Sequence, residues 1–352
     1  MRFVRAKRPT LADVAERAGT STAVVSYVLN NGPRPVSDAL RARVVEALDE
    51  LNYRPDRIAQ ALRRPRRWRQ VGLLVPDLSM PLFRTLVARV EFEARERRHL
   101  TMIGSTGFDP EREVEFARSF TDVGIDGLLV VGAVDAPATA ELCARARIPV
   151  VWVHNSRGRI EAPVIGADHV AAGRLATRHL VDEHGCDDVV FVGGFTAEEV
   201  RHGDRETVAQ RLQGFRSVVG ESAEVVGTDL SAAGAYAAVG DFLRRRGRVP
   251  QGMVVGTYGQ SAAAVRAVTD AGLGVPGDIR IVGFDADTAN DYRQISLTAV
   301  QQRIDAIAGR ALGCLLDESG SGGADPAPDW SDVLLNLRES CGCAAGGGPV
   351  RP

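Results

Sequence analysis

The sequence predicts an α/β protein in two parts: an N-terminal three-helix headpiece of the helix-turn-helix kind, followed by a hinge, and a large core of two lobes built on parallel sheets. Three observations lead there. Short amphipathic stretches with helix start and stop signals fill residues 1–54, short apolar strands alternating with helical stretches fill most of the chain beyond residue 70, and charge reverses between the two. Residues 1–69 hold 15 Lys and Arg against 7 Asp and Glu, whereas the remainder holds 28 against 38. A near-neutral total therefore conceals a basic head on an acidic body, the distribution expected when only the head faces phosphate.

Thr10 is placed to N-cap a first helix, with Asp13 at the positive end of its dipole. Leu11, Val14, Ala15 and Ala18 fall at i, i+3, i+4 and i+7 and form one apolar face. Gly19 stands where a residue with positive φ stops a helix, and Ser21 can cap a second helix running through Val24, Val25, Val28 and Leu29 to Asn30. Ser37 announces a third, with Leu40, Val44, Ala47, Leu48 and Leu51 on its buried side. Two short helices across a tight Gly turn make a helix-turn-helix, whose second helix offers Thr22, Ala23, Ser26 and Tyr27 to a major groove. No Arg sits on that helix for bidentate guanine reading, so readout is short and weakly polar. The pattern alone fits a three-helix bundle used for protein contacts as well. The Pro-gated turn Arg54-Pro55-Asp56-Arg57-Ile58-Ala59-Gln60-Ala61-Leu62-Arg63-Arg64 follows directly and reads as a hinge.

After the Arg-rich stretch Pro65 to Arg69 the pattern changes. Val71 to Val75, Thr101 to Gly104, Gly127 to Val131, Val150 to Val153, Asp188 to Val192, Met253 to Val255 and Ile279 to Gly283 are short apolar runs with helical stretches between most of them. Buried strands alternating with helices imply parallel sheets covered on both faces. About 280 residues of this kind exceed one ordinary core, so two similar lobes are expected.

The motifs Thr10-Leu11-Ala12-Asp13-Val14-Ala15, Gly19-Thr20-Ser21, Val25-Ser26-Tyr27-Val28-Leu29-Asn30, Val36-Ser37 and Leu51-Asn52-Tyr53-Arg54-Pro55 resemble the N-terminal signature of the lactose-repressor family of bacterial transcription regulators. Further matches run along the core: Val71-Gly72-Leu73-Leu74-Val75-Pro76-Asp77, Asp168 with Gly173 and His179-Leu180, Arg211-Leu212-Gln213-Gly214-Phe215, Val282-Gly283-Phe284-Asp285, and Leu337-Arg338-Glu339-Ser340. The resemblance implies contacts to double-stranded operator DNA from Thr10, Ser21, Thr22, Ala23, Ser26, Tyr27, Asn30, Arg34, Tyr53, Arg57, Ala59, Leu62 and Arg63. It makes Ile58 to Arg63 a hinge helix formed on DNA, with Leu62 a wedge that unstacks and kinks the minor groove.

For the core the resemblance implies two lobes like those of periplasmic sugar-binding proteins, crossed three times by the chain near Asp168, near Ile295 to Thr298 and within Ser319 to Pro328. The expected segments are a headpiece at 1–54, hinge and linker at 55–69, and a core at 70–343 followed by a flexible tail at 344–352. Lobe 1 takes about 70–167 and 299–320, and lobe 2 about 168–296 and 328–343. A small-molecule effector of unknown identity would sit between the lobes, met by Phe83, His154, Asp168, Arg205, Thr207, Arg211 and Tyr258. The chain departs from the family pattern at three places: Tyr258 where a carboxylate is usual, His154-Asn155 where an Asp is common, and Met80 where an Asn is usual. Those changes predict a cleft more aromatic and less anionic than one made for a simple sugar.

Other classes fit less well. There is no Walker-type phosphate loop and no Gly-x-Ser-x-Gly elbow, so no enzyme and no cofactor is expected. His179 and His184 lie five apart without metalloprotease spacing or an evident third ligand, and the five cysteines show no four-ligand zinc spacing, so no metal is expected either. The cysteines read as free thiols, with Cys341-Gly342-Cys343 in a mobile Gly-rich tail. Met1 to Pro9 is basic without an apolar signal-peptide region, and no run is long enough to span a membrane, which predicts a cytoplasmic protein with no membrane partner. The expectation is a sequence-specific transcription regulator, a repressor, reading a pseudo-palindromic operator as a homodimer. A ligand sensor acting through protein contacts is the competing reading.

Overall fold

The structure is a computed structural model that describes residues 9–30, 36–51, 53, 69–133, 135–156, 163–195, 205–286, 289–316 and 329–343. It divides into two units, Met1–Trp68 and Arg69–Pro352.

In the first unit α1 (Leu11–Arg17), α2 (Thr22–Asn30) and α3 (Asp38–Glu50) form the three expected helices. Thr10 and Asp13 make a reciprocal capping box: the Thr10 hydroxyl accepts from the Asp13 amide at 3.3 Å, and the Asp13 carboxylate accepts from the Thr10 amide at 2.6 Å. Gly19 takes φ +62 in the turn, a conformation costly for any residue with a Cβ. Val14, Ala15, Ala18, Val25, Val28, Val44 and Ala47 close a miniature core. Ser37 precedes α3 in extended geometry but makes no side-chain cap.

The second unit holds two six-stranded sheets. The first has the order β11-β5-β4-β3-β1-β2 and is parallel throughout, built from β1 (Gln70–Val75), β2 (Leu100–Ser105), β3 (Gly127–Ala133), β4 (Val150–Ser156), β5 (Val164–Ala167) and β11 (Asp329–Ser331). The second has the order β12-β10-β9-β8-β6-β7, from β6 (Val189–Gly194), β7 (Val225–Gly227), β8 (Gly252–Val255), β9 (Arg280–Phe284), β10 (Thr298–Gln302) and β12 (Val333–Asn336), with only β12 antiparallel to its neighbour. Side chains alternate between two buried faces, as β-strands require: Leu73, Leu129 and Val153 pack on one side of the first sheet, Leu74, Leu128 and Trp152 on the other. The helices that cover these faces are α4 (Pro81–Glu96), α5 (Pro110–Val123), α6 (Ala136–Ala146), α7 (His169–Arg178), α8 (Arg205–Val219), α9 (Ala232–Arg246), α10 (Tyr258–Asp270) and α11 (Ile304–Leu316).

The seven strands read from sequence are all present. Those that escaped, β5, β7 and β10 to β12, are three to five residues long. Their pairing moves two of the three expected crossings. The first does fall at Asp168, between β5 and α7. The second falls after Gln302 and not at 295–298, because β10 pairs with β9 in the second sheet while α11 packs on α4, β3 and β4 of the first lobe. The third falls at Asp332 and not in 319–328, because β11 joins the first sheet and β12, one residue later, the second.

The cysteines need a correction. Cys341 is buried in a single 3-10 turn, Glu339–Cys341, and the segment is docked: the Thr298 amide donates to Ser340 Oγ at 2.8 Å, and Ser340 Oγ donates to the Ile281 carbonyl at 2.6 Å. Far from being mobile, Cys343 lies against His179 and His184, so those histidines do have further ligand atoms beside them. Residues 344–352 lie outside the described residues. Cys143 is an inert core thiol, pushed up to about 11 by burial.

Candidate functional site

The headpiece exposes its polar groups at the start of α2. Thr22 and Ala23 are exposed, Ser26 and Tyr27 half-buried, while Val25 and Val28 point into the miniature core. Ser21 and Thr10 are also exposed, but their hydroxyls are engaged as caps, Ser21 Oγ accepting from the Val24 amide at 3.4 Å. Tyr53 packs against the headpiece core, and its amide donates to the Leu48 carbonyl at 2.9 Å, closing α3. Asn30 ends α2. Arg34, Arg57, Ala59, Leu62 and Arg63 lie outside the described residues.

In the core, polar side chains converge where strands of both sheets end. His154 comes from β4 of the first lobe and adopts φ +78, a strained conformation for a residue with a Cβ. Asp285, just after β9 of the second lobe, is at φ +55. Carboxyl ends of parallel strands are where α/β folds place ligands. Here the two lobes meet through hydrogen bonds: His154 Nδ1 lies 3.2 Å from Gln302 Oε1, and His154 Nε2 lies 3.2 Å from Thr207 Oγ1. Gln302 donates its amide nitrogen to Asp285 Oδ1 at 3.0 Å, so its oxygen accepts and His154 Nδ1 carries the proton. His154 Nε2 is then the acceptor for the Thr207 hydroxyl. All these groups are buried, His154 with 2 % exposure.

Arg211 completes the network at 3 % exposure. Its Nη2 donates to Asp285 Oδ2 at 2.7 Å, its Nη1 to the Gly256 carbonyl at 2.9 Å, and its guanidinium stacks 4.1 Å from the Phe284 ring centroid. Both charged partners belong to the second lobe, so this pair stiffens that lobe and does not bridge the two. Arg211 and Thr207 are held in place by backbone contact between α7 and α8. A Cβ on Gly173 would stand 2.0 Å from the Arg211 carbonyl oxygen, so only glycine allows that approach. Phe83 and His169 flank His154, ring to ring at 5.7 and 5.0 Å.

Four of the seven expected cleft residues therefore come together: Phe83, His154, Thr207 and Arg211. Arg205 stands at the first turn of α8 over the Phe195 ring at 5.4 Å, with its Nε buried and without a hydrogen-bond partner among the described residues. Two expectations fail to join the cluster. Asp168 is exposed and spends its carboxylate capping α7, accepting from the Ala171 amide at 2.8 Å. Tyr258 turns to Arg293, which donates to its hydroxyl at 2.7 Å, on the rim of a cavity of about 260 Å³ lined also by Ser261, Val265 and Asn290. Gln302 and Asp285 were not foreseen as site residues. Asp285, an acid directly following the apolar run of β9, carried the available signal, and its presence means the cleft keeps a carboxylate that the departures at Tyr258 and His154 seemed to remove.

Comparison with known proteins is consistent along the chain. Residues 10–56 match the model for bacterial regulatory proteins of the lacI family, and residues 177–341 match the periplasmic binding protein-like domain. The HTH-type transcriptional regulator MalR of Streptomyces coelicolor is 32 % identical over 341 residues, covering 92 % of this chain and 93 % of the relative. Catabolite control protein A of Priestia megaterium is 26 % identical over 317 residues, covering 86 % and 91 %. Among solved structures, the Lac repressor dimer bound to operator and an anti-inducer aligns with a TM-score of 0.79 at 25 % identity, covering 95 % of this chain and 99 % of the other.

Proposed function

Because the chain belongs to the lacI family of bacterial transcriptional regulators, non-enzymatic proteins that join a helix-turn-helix DNA-binding domain to a periplasmic-binding-protein-like effector domain, we propose that it is a repressor that reads a pseudo-palindromic operator as a homodimer and is controlled by a small molecule between its lobes. The observation that carries this reading is the hydrogen-bonded bridge from His154 of one lobe to Thr207 and Gln302 of the other. A ligand entering there competes for these groups, changes the lobe angle, and so biases DNA binding. Thr22 and Ala23 supply a short readout of the major groove, with Ser26 and Tyr27 beside them. One headpiece reads only a few base pairs, and two-fold pairing multiplies that into usable specificity. Tyr292, 91 % exposed and next in sequence to the Arg293 wall of the Tyr258 cavity, offers an aromatic surface that such pairing would cover.

The effector class is read from the cleft's donors. The guanidinium groups of Arg205 and Arg211 favour a ligand rich in acceptor oxygens. The test is selection of bound fragments from genomic DNA by the purified protein, with binding to the enriched fragments followed against salt. Enrichment of a two-fold symmetric site whose affinity falls steeply with salt is expected. Enrichment of nothing, with salt-insensitive binding, favours the protein-contact sensor. On the enriched site, Leu62→Ala is expected to cost operator affinity far more than random-DNA affinity, since a wedge acts only where the duplex is kinked. Equal losses on both would remove the hinge from the account.

A further inference from the structure

Lobe 2 begins with α7 and ends with the Cys341-Gly342-Cys343 segment, and these two ends meet. The helix does not finish as an α-helix. Its last residues, His179–Glu183, form a π-helical turn, in which i→i+5 hydrogen bonding stacks residues five apart. That is why His179 and His184, which an α-helix would separate around its circumference, bring their Nε2 atoms to 3.2 Å. From the other side, Gly342 at φ +95 reverses the chain so that Cys341 and Cys343 face the histidines together. Cys343 Sγ lies 3.8 Å from His179 Nε2 and 3.5 Å from His184 Nε2. All four ligand atoms, Cys341 Sγ included, lie within 4.8 Å of one another.

We propose that His179, His184, Cys341 and Cys343 form a tetrahedral zinc site that clips the C-terminal segment to the first helix of lobe 2. With zinc bonded to imidazole nitrogen at about 2.0–2.1 Å and to thiolate sulfur at about 2.3 Å, the edges of a tetrahedron are about 3.3 Å between nitrogens and about 3.6 Å between nitrogen and sulfur. The observed 3.2, 3.5 and 3.8 Å among His179, His184 and Cys343 match those edges, and Cys341 Sγ, within 4.8 Å of the others and accepting from Thr298 Oγ1 at 3.0 Å, closes the fourth corner by moving in by about 1 Å. Ligand type points the same way. Two thiolates and two neutral imidazoles suit zinc, and two thiolates cancel its double charge, which suits a site built half from buried groups, His179 and Cys341. Copper(I) on the same ligands would leave net negative charge.

The site lies at the end of α7 away from the lobe crossing. Asp168, at the crossing, and His179 lie at opposite ends of α7, and a helix of that length places them about 16 Å apart. Its role is that of a staple, closing a loop of nearly the whole lobe, as a disulfide would in an oxidising compartment. Binding one zinc releases the two thiol protons and involves no redox step.

The full-length, tag-free protein, purified with a non-thiol reductant, is analysed for metal by mass spectrometry and then titrated with Co²⁺ after the metal is stripped. The expected result is about one zinc per chain and, with cobalt, thiolate charge-transfer and tetrahedral d–d bands in the absorption spectrum. Cys343→Ser and His184→Asn, both at positions not fully buried, are each expected to weaken zinc binding by about tenfold or more while leaving the circular dichroism spectrum and DNA binding of the protein unchanged. The melting temperature is expected to fall on adding a chelator to wild type and to stay fixed in the variants. Folded wild type with no zinc and no cobalt spectrum would overturn the proposal, as would full zinc retention in both variants.

Discussion

In the headpiece, polar side chains stand outside an apolar cluster of Val14, Ala15, Ala18, Val25, Val28, Val44 and Ala47, and what they do for the fold is cap helices. In the interlobe cleft, His154, Thr207, Gln302, Asp285 and Arg211 are themselves buried, and each satisfies another. A headpiece surface can lose a hydroxyl cheaply, because water replaces the lost partner. The cleft cannot, because a group left without its partner is stranded away from water. One region is therefore a reading surface on a minimal scaffold, and the other a buried polar network in which small changes have large effects.

Substitutions sharpen that contrast when ranked by cost. Arg211→Met leaves the Asp285 carboxylate buried without its cation and is expected to cost about 3–5 kcal/mol, read as the shift of the core's urea unfolding transition. A loss below about 1 kcal/mol there would mean the cleft is wetter than a buried network allows. Gly173→Ala drives a methyl group into the Arg211 carbonyl and is expected to cost about 1–3 kcal/mol by forcing α7 and α8 apart; the core's melting temperature checks it. Thr10→Ala removes the α1 capping box at a cost of about 1 kcal/mol, visible as faster amide exchange in the first turn of α1 with the core's transition unmoved. If the core transition moved with it, the two units would not unfold independently.

The same contrast explains what could be read from sequence. Thr10 with Asp13, Gly19 and Ser21 are local signals, each acting within a few residues, so the headpiece helices were legible to their caps. The apolar strands were legible too, since a strand buried on both faces shows as an unbroken apolar run. Gln302 was not, because its partner His154 is 148 residues away and nothing nearby in sequence marks the meeting. Asp168 carries a second role that a resemblance does not announce: the residue at the crossing also caps α7 through its carboxylate. Tyr258 was placed in the cleft by the family resemblance, and Arg293, 35 residues on, donates to its hydroxyl, a partner no local pattern announces. His179 and His184 were noted as a pair but set aside for want of further ligands, because Cys343 stands 159 residues beyond His184 and nothing nearby in sequence marks the meeting.

The proposed control runs through the bridge between lobes, and Thr207→Val removes one of its hydrogen bonds without changing side-chain volume. Titrating wild type and this variant against an enriched operator fragment and against random DNA, at one salt concentration, measures that link. A bridge that governs the headpiece predicts a shift of about fivefold or more in operator affinity, the scale of an allosteric coupling, with random-DNA affinity unchanged. Identical operator affinities in the two proteins would contradict control of DNA binding through the cleft.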